Sequence, residues 1–134
     1  MNTIKNKQEA DPKELAMFCR QVMDAGKAEN IIQLHVSELS VLADYFILAT
    51  ANSLPHIKAV AARLKKETSK KYGSKPRIDG DAESMWVVLD FGNVVVHILS
   101  PEMREQYQLE TLWGDAPSEK HIETLAEITA ERTR

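Results

Sequence analysis

Asp44, Asp79, Asp81 and Asp90 are the carboxylates of this chain whose positions suggest chemistry. Asp79 and Asp81 are two residues apart, a spacing that suits a carboxylate pair holding a magnesium ion. They also flank Gly80, and the commoner use of such a trio is to form a turn. The four histidines, His35, His56, His97 and His121, are scattered, and none has a metal-ligand spacing to another histidine or to Cys19. A lone cysteine excludes an internal disulfide framework, and Cys19, beside an apolar stripe, reads as a small buried hydrophobe. Five glycines leave no phosphate cradle. G-x-x-x-x-G-K-[ST], G-x-G-x-x-G and G-x-S-x-G are all absent. No metal site and no cofactor are expected.

The elements that would position these groups centre on residues 85–113. Gly92-Asn93 is a two-residue turn of the kind that joins antiparallel strands. It sets Phe91 against Val94, Leu89 against Val96 and Val87 against Ile98, an apolar face. The opposite face carries Trp86, Val88, Asp90, Val95, His97 and Leu99. In this register Asp90 pairs with Val95 and His97 with Val88, so no catalytic dyad is implied. His97 reads either as a hydrogen-bonded, partly buried imidazole or as a binding residue. Trp86 suits core packing and interface anchoring equally.

Upstream, Asp11-Pro12-Lys13-Glu14 opens a helix, with Asp11 as cap and Pro12 in the first position. Leu15, Phe18, Val22 and Met23 form its apolar stripe, which ends near Gly26. Residues 31–36 read as a strand, and 45–51 as a central one, apolar almost throughout. A helix runs from 53 or 54 to 71, with Leu54, Ile57, Val60, Ala61 and Leu64 on one face and Lys58, Lys65, Lys66 and Lys70 toward solvent. A short extended piece surrounds Arg77-Ile78. After the hairpin, Ser100-Pro101-Glu102 caps a short helix through about Tyr107. Arg104 and Tyr107 share one side of it, a structural clasp in the plainest reading. Leu109, Leu112 and Trp113 fold the chain end back onto the sheet. Residues 1–10 read as disordered, 11–117 as one domain, and 118–134 as an extension, either a tail or a weak amphipathic helix on Ile122, Leu125 and Ile128. The order α-β-β-α-(β)-β-β-α predicts an α/β (α+β) fold, a mixed sheet of four to five strands with flanking helices.

Composition bounds the rest. With 134 residues and 43% hydrophobic content, one domain with a real core is expected. No apolar run reaches the ~18 residues of a membrane span. The first residues lack the apolar core of a secretory signal, and a cytoplasmic location is expected. The net charge of −3 conceals an asymmetry. Residues 58–77 carry eight basic side chains against Glu67, and residues 78–119 carry nine acids against Arg104. The basic stretch is either a solvated helix face or an electrostatic footprint for RNA. Only Tyr72 could stack on a base there, which argues against a specific single-strand reader.

Trp86, Asp90, Val95-Val96-His97, Arg104 and Tyr107-x-Leu109-Glu110-x-Leu112-Trp113, in this order and at these distances, resemble the ribosomal silencing factor family, also called Iojap-related. Asp44-Tyr45-Phe46 matches its earlier strand motif. Asp79-Gly80 stands where Glu-Gly is more usual, and Gly92-Asn93 replaces a commoner Gly-Asp turn. The resemblance spans roughly residues 15–113 and leaves 118–134 outside.

The resemblance implies a nucleotidyltransferase-like sheet, but the Gly-Ser motif and D-x-[DE] pair of those enzymes are missing: Thr50-Ala51-Asn52-Ser53 has no glycine, and Asp44 has no acid two residues on. It implies a protein that is not an enzyme. Such a protein binds ribosomal protein L-fourteen on the large ribosomal subunit, blocks docking of the small subunit and lowers translation when nutrients are short. Carried over from the motif, the partner-binding residues are Trp86 as the apolar anchor, with Val88, Leu89 and Asp90 on the same strand, and His97, Arg104 and Tyr107 extending the surface. A peripheral rRNA contact and a homodimer off the ribosome are further expectations. The rival readings are a divergent metal-dependent nucleotidyltransferase and a generic RNA-binding domain on residues 58–77.

Overall fold

The computed structural model describes residues 11–37, 43–112 and 116–121. Helix α1 (Pro12–Ala25) begins where Asp11 accepts a hydrogen bond from the Glu14 N–H at 3.2 Å. Strands β1 (Glu29–His35) and β2 (Tyr45–Thr50) pair antiparallel. Helix α2 (Leu54–Tyr72) is capped by Ser53, which accepts from the His56 N–H, and stops at Gly73, whose left-handed backbone (φ 71°) closes the last turn. Strand β3 (Arg77–Asp81), a single 3-10 turn (Ala82–Ser84), β4 (Trp86–Asp90) and β5 (Val94–Leu99) follow. Ser100 then caps α3 (Pro101–Tyr107), accepting from the Met103 N–H, and Gln108 at φ 45° breaks the chain into the four-residue α4 (Leu109–Leu112). Strand β6 (Ser118–Lys120) closes the described part.

The strands form one mixed sheet in the order β3-β4-β5-β2-β1-β6. Only β2 and β5 run parallel, and α2 lies in the connection between them. The hairpin has the expected register: Val87 opposes Ile98, Leu89 opposes Val96, and the Phe91 N–H reaches the Val94 carbonyl at 2.9 Å. Both long helices pack on one side of the sheet. Met23, Ile57, Val60 and Leu64 meet Ile47, Leu89, Val94, Val96 and Ile98 there in the main core. Cys19 belongs to that core, and burial pushes its thiol far above the ordinary range, as befits an inert hydrophobe. Among the described residues the other side of the sheet has only a small cluster, Leu34, Val36, Ala43, Leu48 and Ala116, with Leu109 packed against it.

The six strands exceed the four to five expected. The additional one is Ser118–Lys120, at the start of the extension read as a tail or weak helix. It pairs with the outer edge of β1, and Glu119 meets the buried Arg20 guanidinium at 3.2 Å. Three charged or polar residues have no strand pattern of their own, so an unpaired edge is what makes them a strand. Residues 38–42 and 122–134 lie outside the described residues, as does Trp113. Of the three residues expected to fold the chain end back, Leu109 does so, and the side chain of Leu112 is also outside the description.

Asp79-Gly80-Asp81 is not a free loop. It is the end of β3, with Gly80 at φ 72° and paired with Val87. A Cβ on Gly80 would sit 2.5 Å from the Trp86 carbonyl oxygen. Gly80→Ala therefore meets both a left-handed backbone and a backbone clash. A loss of about 2–4 kcal/mol in urea unfolding is expected, with near-ultraviolet circular dichroism showing Trp86 disturbed in the fraction that still folds.

Candidate functional site

Alternation along β4 and β5 decides what the less covered side of the sheet presents. Trp86, Val88 and Asp90 point there from β4, and Val95, His97 and Leu99 from β5. Val87 and Leu89 point the other way, under α2. Leu89 is 0% exposed, so its expected place in a partner surface is corrected: it is core. A strand cannot offer adjacent residues to one face, and the hairpin register already put Leu89 opposite Val96 on the apolar side.

The remaining residues assemble around Trp86. Its indole N–H donates to Nδ1 of His97 at 3.1 Å, which places the imidazole proton on Nε2. The rings of Trp86 and Tyr107 lie 5.0 Å apart, and Tyr107 is 49% exposed. Phe46, brought alongside by the parallel β2–β5 pairing, stacks edge-on with His97 at 5.8 Å. Reading the chain in order missed Phe46, because parallel neighbours leave no local mark. Its signal was present in β2, where Phe46 and Leu48 share a face. Met103 was missed too. With Gly80, Ser84, Trp86 and Val88 it lines a depression of about 210 Å³ that is almost wholly apolar.

Asp90 and Arg104 are less free than the sequence suggested. The Asp90 carboxylate accepts from the Gly92 N–H at 2.8 Å, bracing the hairpin turn, and meets Arg77 at 3.4 Å. Asp81 caps the 3-10 turn through the Ser84 N–H at 2.9 Å. Arg104 is a clasp. It donates to the Asn30 carbonyl at 2.6 Å and to Thr50 Oγ1 at 3.0 Å, and it pairs with Glu110 at 2.8 Å. It fastens α3 and α4 to the ends of β1 and β2, beside a cleft of about 760 Å³ in which its guanidinium, the only one among the described lining residues, is already paired. Among the described residues no group of three or more His, Cys, Asp or Glu side chains is arranged to hold a metal ion.

The site therefore has an aromatic and apolar centre (Trp86, His97, Tyr107, Phe46, Val88, Met103). Asp79 and Asp81 on the neighbouring edge strand share its face by register. Burial lowers the His97 pKa to about 4, so the imidazole is neutral throughout the physiological range and serves as an acceptor. The chemistry on offer is recognition of a partner with apolar side chains and basic groups.

The chain is similar to known proteins over most of its length. The family model described as "Ribosomal silencing factor during starvation" matches residues 9–134, which includes the extension expected to lie outside. The ribosomal silencing factor RsfS of Halalkalibacterium halodurans is 36% identical over 105 residues, 78% of this chain and 90% of the relative. A mouse protein named mitochondrial assembly of ribosomal large subunit protein 1 is 34% identical over 107 residues, 78% of this chain and 46% of that protein. A crystal structure of a Chromobacterium violaceum protein superposes with a TM-score of 0.74 at 28% identity, covering 87% of this chain and 97% of that one.

The Trp86–His97 bond gives a pH dependence with a definite sign. In the unfolded chain His97 titrates near its ordinary 6.5, and in the folded protein near 4. Between these values the unfolded state binds more protons, so stability rises with pH across the window and is lost as the pH falls through it. The His97 contribution between pH 7 and pH 5 is about 2 kcal/mol. Urea midpoints at the two pH values measure the slope. His97→Gln keeps an acceptor for the indole without titrating, and is expected to remove that part of the slope.

Proposed function

We infer, because the chain belongs to the ribosomal silencing factor family, that it binds the large ribosomal subunit through ribosomal protein L-fourteen and sterically blocks association with the small subunit, repressing translation under nutrient limitation. The observation that carries this reading is the aromatic patch on the sheet face that, among the described residues, no long helix covers. Trp86 stands beside a 210 Å³ apolar depression, with its N–H already bonded within the protein. An interface anchor needs a large ring held in one orientation before the partner arrives, since ordering it on binding would weaken the complex. His97 and Tyr107 supply that hold. Val88 and Met103 complete the apolar floor, and Asp79 and Asp81 add negative charge toward a basic protein. Asp90 and Arg104 act one step back, on the turn and on the α3–α4 segment that carries Tyr107.

The mechanism needs no bond made or broken. A compact domain of this length is roughly 35 Å across, wide enough to obstruct an intersubunit contact. The nucleotidyltransferase-like sheet implied by the resemblance serves here as scaffold. Of the carboxylates a nucleotidyltransferase reading would draw on, Asp44, Asp79, Asp81 or Asp90, two are tied to a backbone N–H, Asp81 and Asp90. Action on ribosomes would take place in the cytoplasm. Off the ribosome, the same apolar face suits a second copy of the chain, and such a dimer would compete with subunit binding. Sedimentation at several concentrations, with and without large subunits, measures that competition.

Trp86→Ala is expected to lose binding to large subunits by ~30- to 1,000-fold, the effect of truncating a central aromatic anchor. Thermal melting and far-ultraviolet circular dichroism should remain those of a folded domain. Co-sedimentation with large subunits, followed by a subunit-joining assay, is the measurement. A folded variant that binds and blocks joining as well as the parent protein would overturn the assignment of Trp86, and turnover of a nucleotide by the parent would overturn the steric mechanism.

A further inference from the structure

We propose that the solvent face of α2 is a second contact surface, one that lies across the phosphate backbone of double-stranded RNA. The inference rests on the ribosome-binding reading above and adds a partner chemistry that the aromatic patch cannot supply. Helix α2 carries six basic side chains and one acid, Glu67. Its buried side is Ile57, Val60, Leu64, Thr68 and Tyr72, turned toward the sheet. Arg63, Lys66 and Lys70 fall at i, i+3 and i+7 along the opposite, exposed side, flanked by Lys58 and Lys65. At 1.5 Å per residue, Lys58 to Lys70 spans about 18 Å of helix. Among the described residues, nearby partners neutralise little of this charge. Lys58 lies 3.8 Å from Glu83, a weak exposed pair, and Lys71 sits over the Phe18 ring at 4.7 Å.

The neighbours of these cations choose the polyanion. Ala59, Ala62 and Ser69, exposed between them, let a backbone approach closely but give a lipid bilayer no apolar side chain to take up. Tyr72 is buried, its ring edge-on to Phe18 at 5.5 Å, so there is no platform on which an unpaired base could stack. What remains is a row of point charges suited to a regular phosphate array. The A-form major groove is too narrow to admit a helix, which places α2 across the backbone rather than inside a groove. Because α2 covers one side of the sheet and Trp86, Val88 and His97 open on the other, both surfaces are available to the ribosome at once.

The test is the triple variant Arg63→Gln, Lys66→Gln, Lys70→Gln in the full chain, with thermal melting as a check on folding. Two affinities are measured from about 50 to about 200 mM salt: for a plain RNA duplex of about 20 base pairs, and for large ribosomal subunits. The parent protein is expected to bind the duplex with a steep salt dependence. The variant should flatten the log–log slope by about 2–3 and bind large subunits about 10-fold more weakly at the lower salt. Trp86→Ala should leave duplex binding unchanged. A folded triple variant with parental affinity for duplex and subunits would overturn the proposal, as would a parent protein that binds phosphatidylserine vesicles as well as RNA. If the duplex is bound through these three residues but large subunits are not bound at all, the RNA surface stands and the ribosome-binding reading falls.

Discussion

The register of the β4–β5 hairpin is the constraint on which the rest of this structure depends. Gly92 at φ 95° and Asn93 make a two-residue turn, and the Asp90 carboxylate locks it by accepting the Gly92 N–H. The Asn93 carbonyl then accepts from the N–H groups of Asp44 and Tyr45, so the same turn sets where β2 begins. With the register held, Val87, Leu89, Val94, Val96 and Ile98 must face α1 and α2, and Trp86, Val88 and His97 must face the other way. A slip of one residue would bury the indole and expose five core side chains. One turn thus sets both the core and the face that Trp86 and His97 present.

The two sides of the sheet divide the work. The helix-covered side holds most of the apolar burial that drives folding. Among the described residues the opposite side has a smaller cluster, which leaves Trp86, His97 and Phe46 only partly buried. They are nevertheless held firmly. The indole and imidazole satisfy one another, the imidazole stays neutral because its surroundings desolvate it, and Tyr107 and Phe46 wall the pair on two sides. A neutral histidine in this position keeps the apolar patch intact and leaves the acidic charge to the edge strand. The cations gather on the far side, along α2. The domain thus carries a fixed aromatic patch on one side and a separated basic flank on the other, and it belongs to the ribosomal silencing factor family.

Much of the architecture was legible residue by residue, because the forces that set it are local. Asp11, Ser53 and Ser100 each cap the helix that their position announces, each with a proline near the first helical position. The apolar spacing of 54–71 places Lys58, Lys65, Lys66 and Lys70 in water, where the structure has them. The two-residue turn gives the cross-strand partners without any tertiary information. The carry-over from the family motif puts Leu89 on the partner surface, and the side-chain period of two excludes it there.

Other features exist only once the chain is folded. Phe46 reaches His97 through a parallel pairing whose strands are separated by α2, β3 and β4; the pattern of β2 gives Phe46 its face but not the strand it will lie beside. Arg104 becomes a clasp because folding sets the Asn30 carbonyl and Thr50 within reach, 74 and 54 residues away along the chain. Ser118–Lys120 becomes a strand because β1 offers an unpaired edge and Arg20 a buried charge that Glu119 can meet. Local sequence determines which face each residue takes, since alternation, capping and turn geometry act over a few bonds. Which faces then meet depends on contacts between distant segments, and only the assembled sheet decides those.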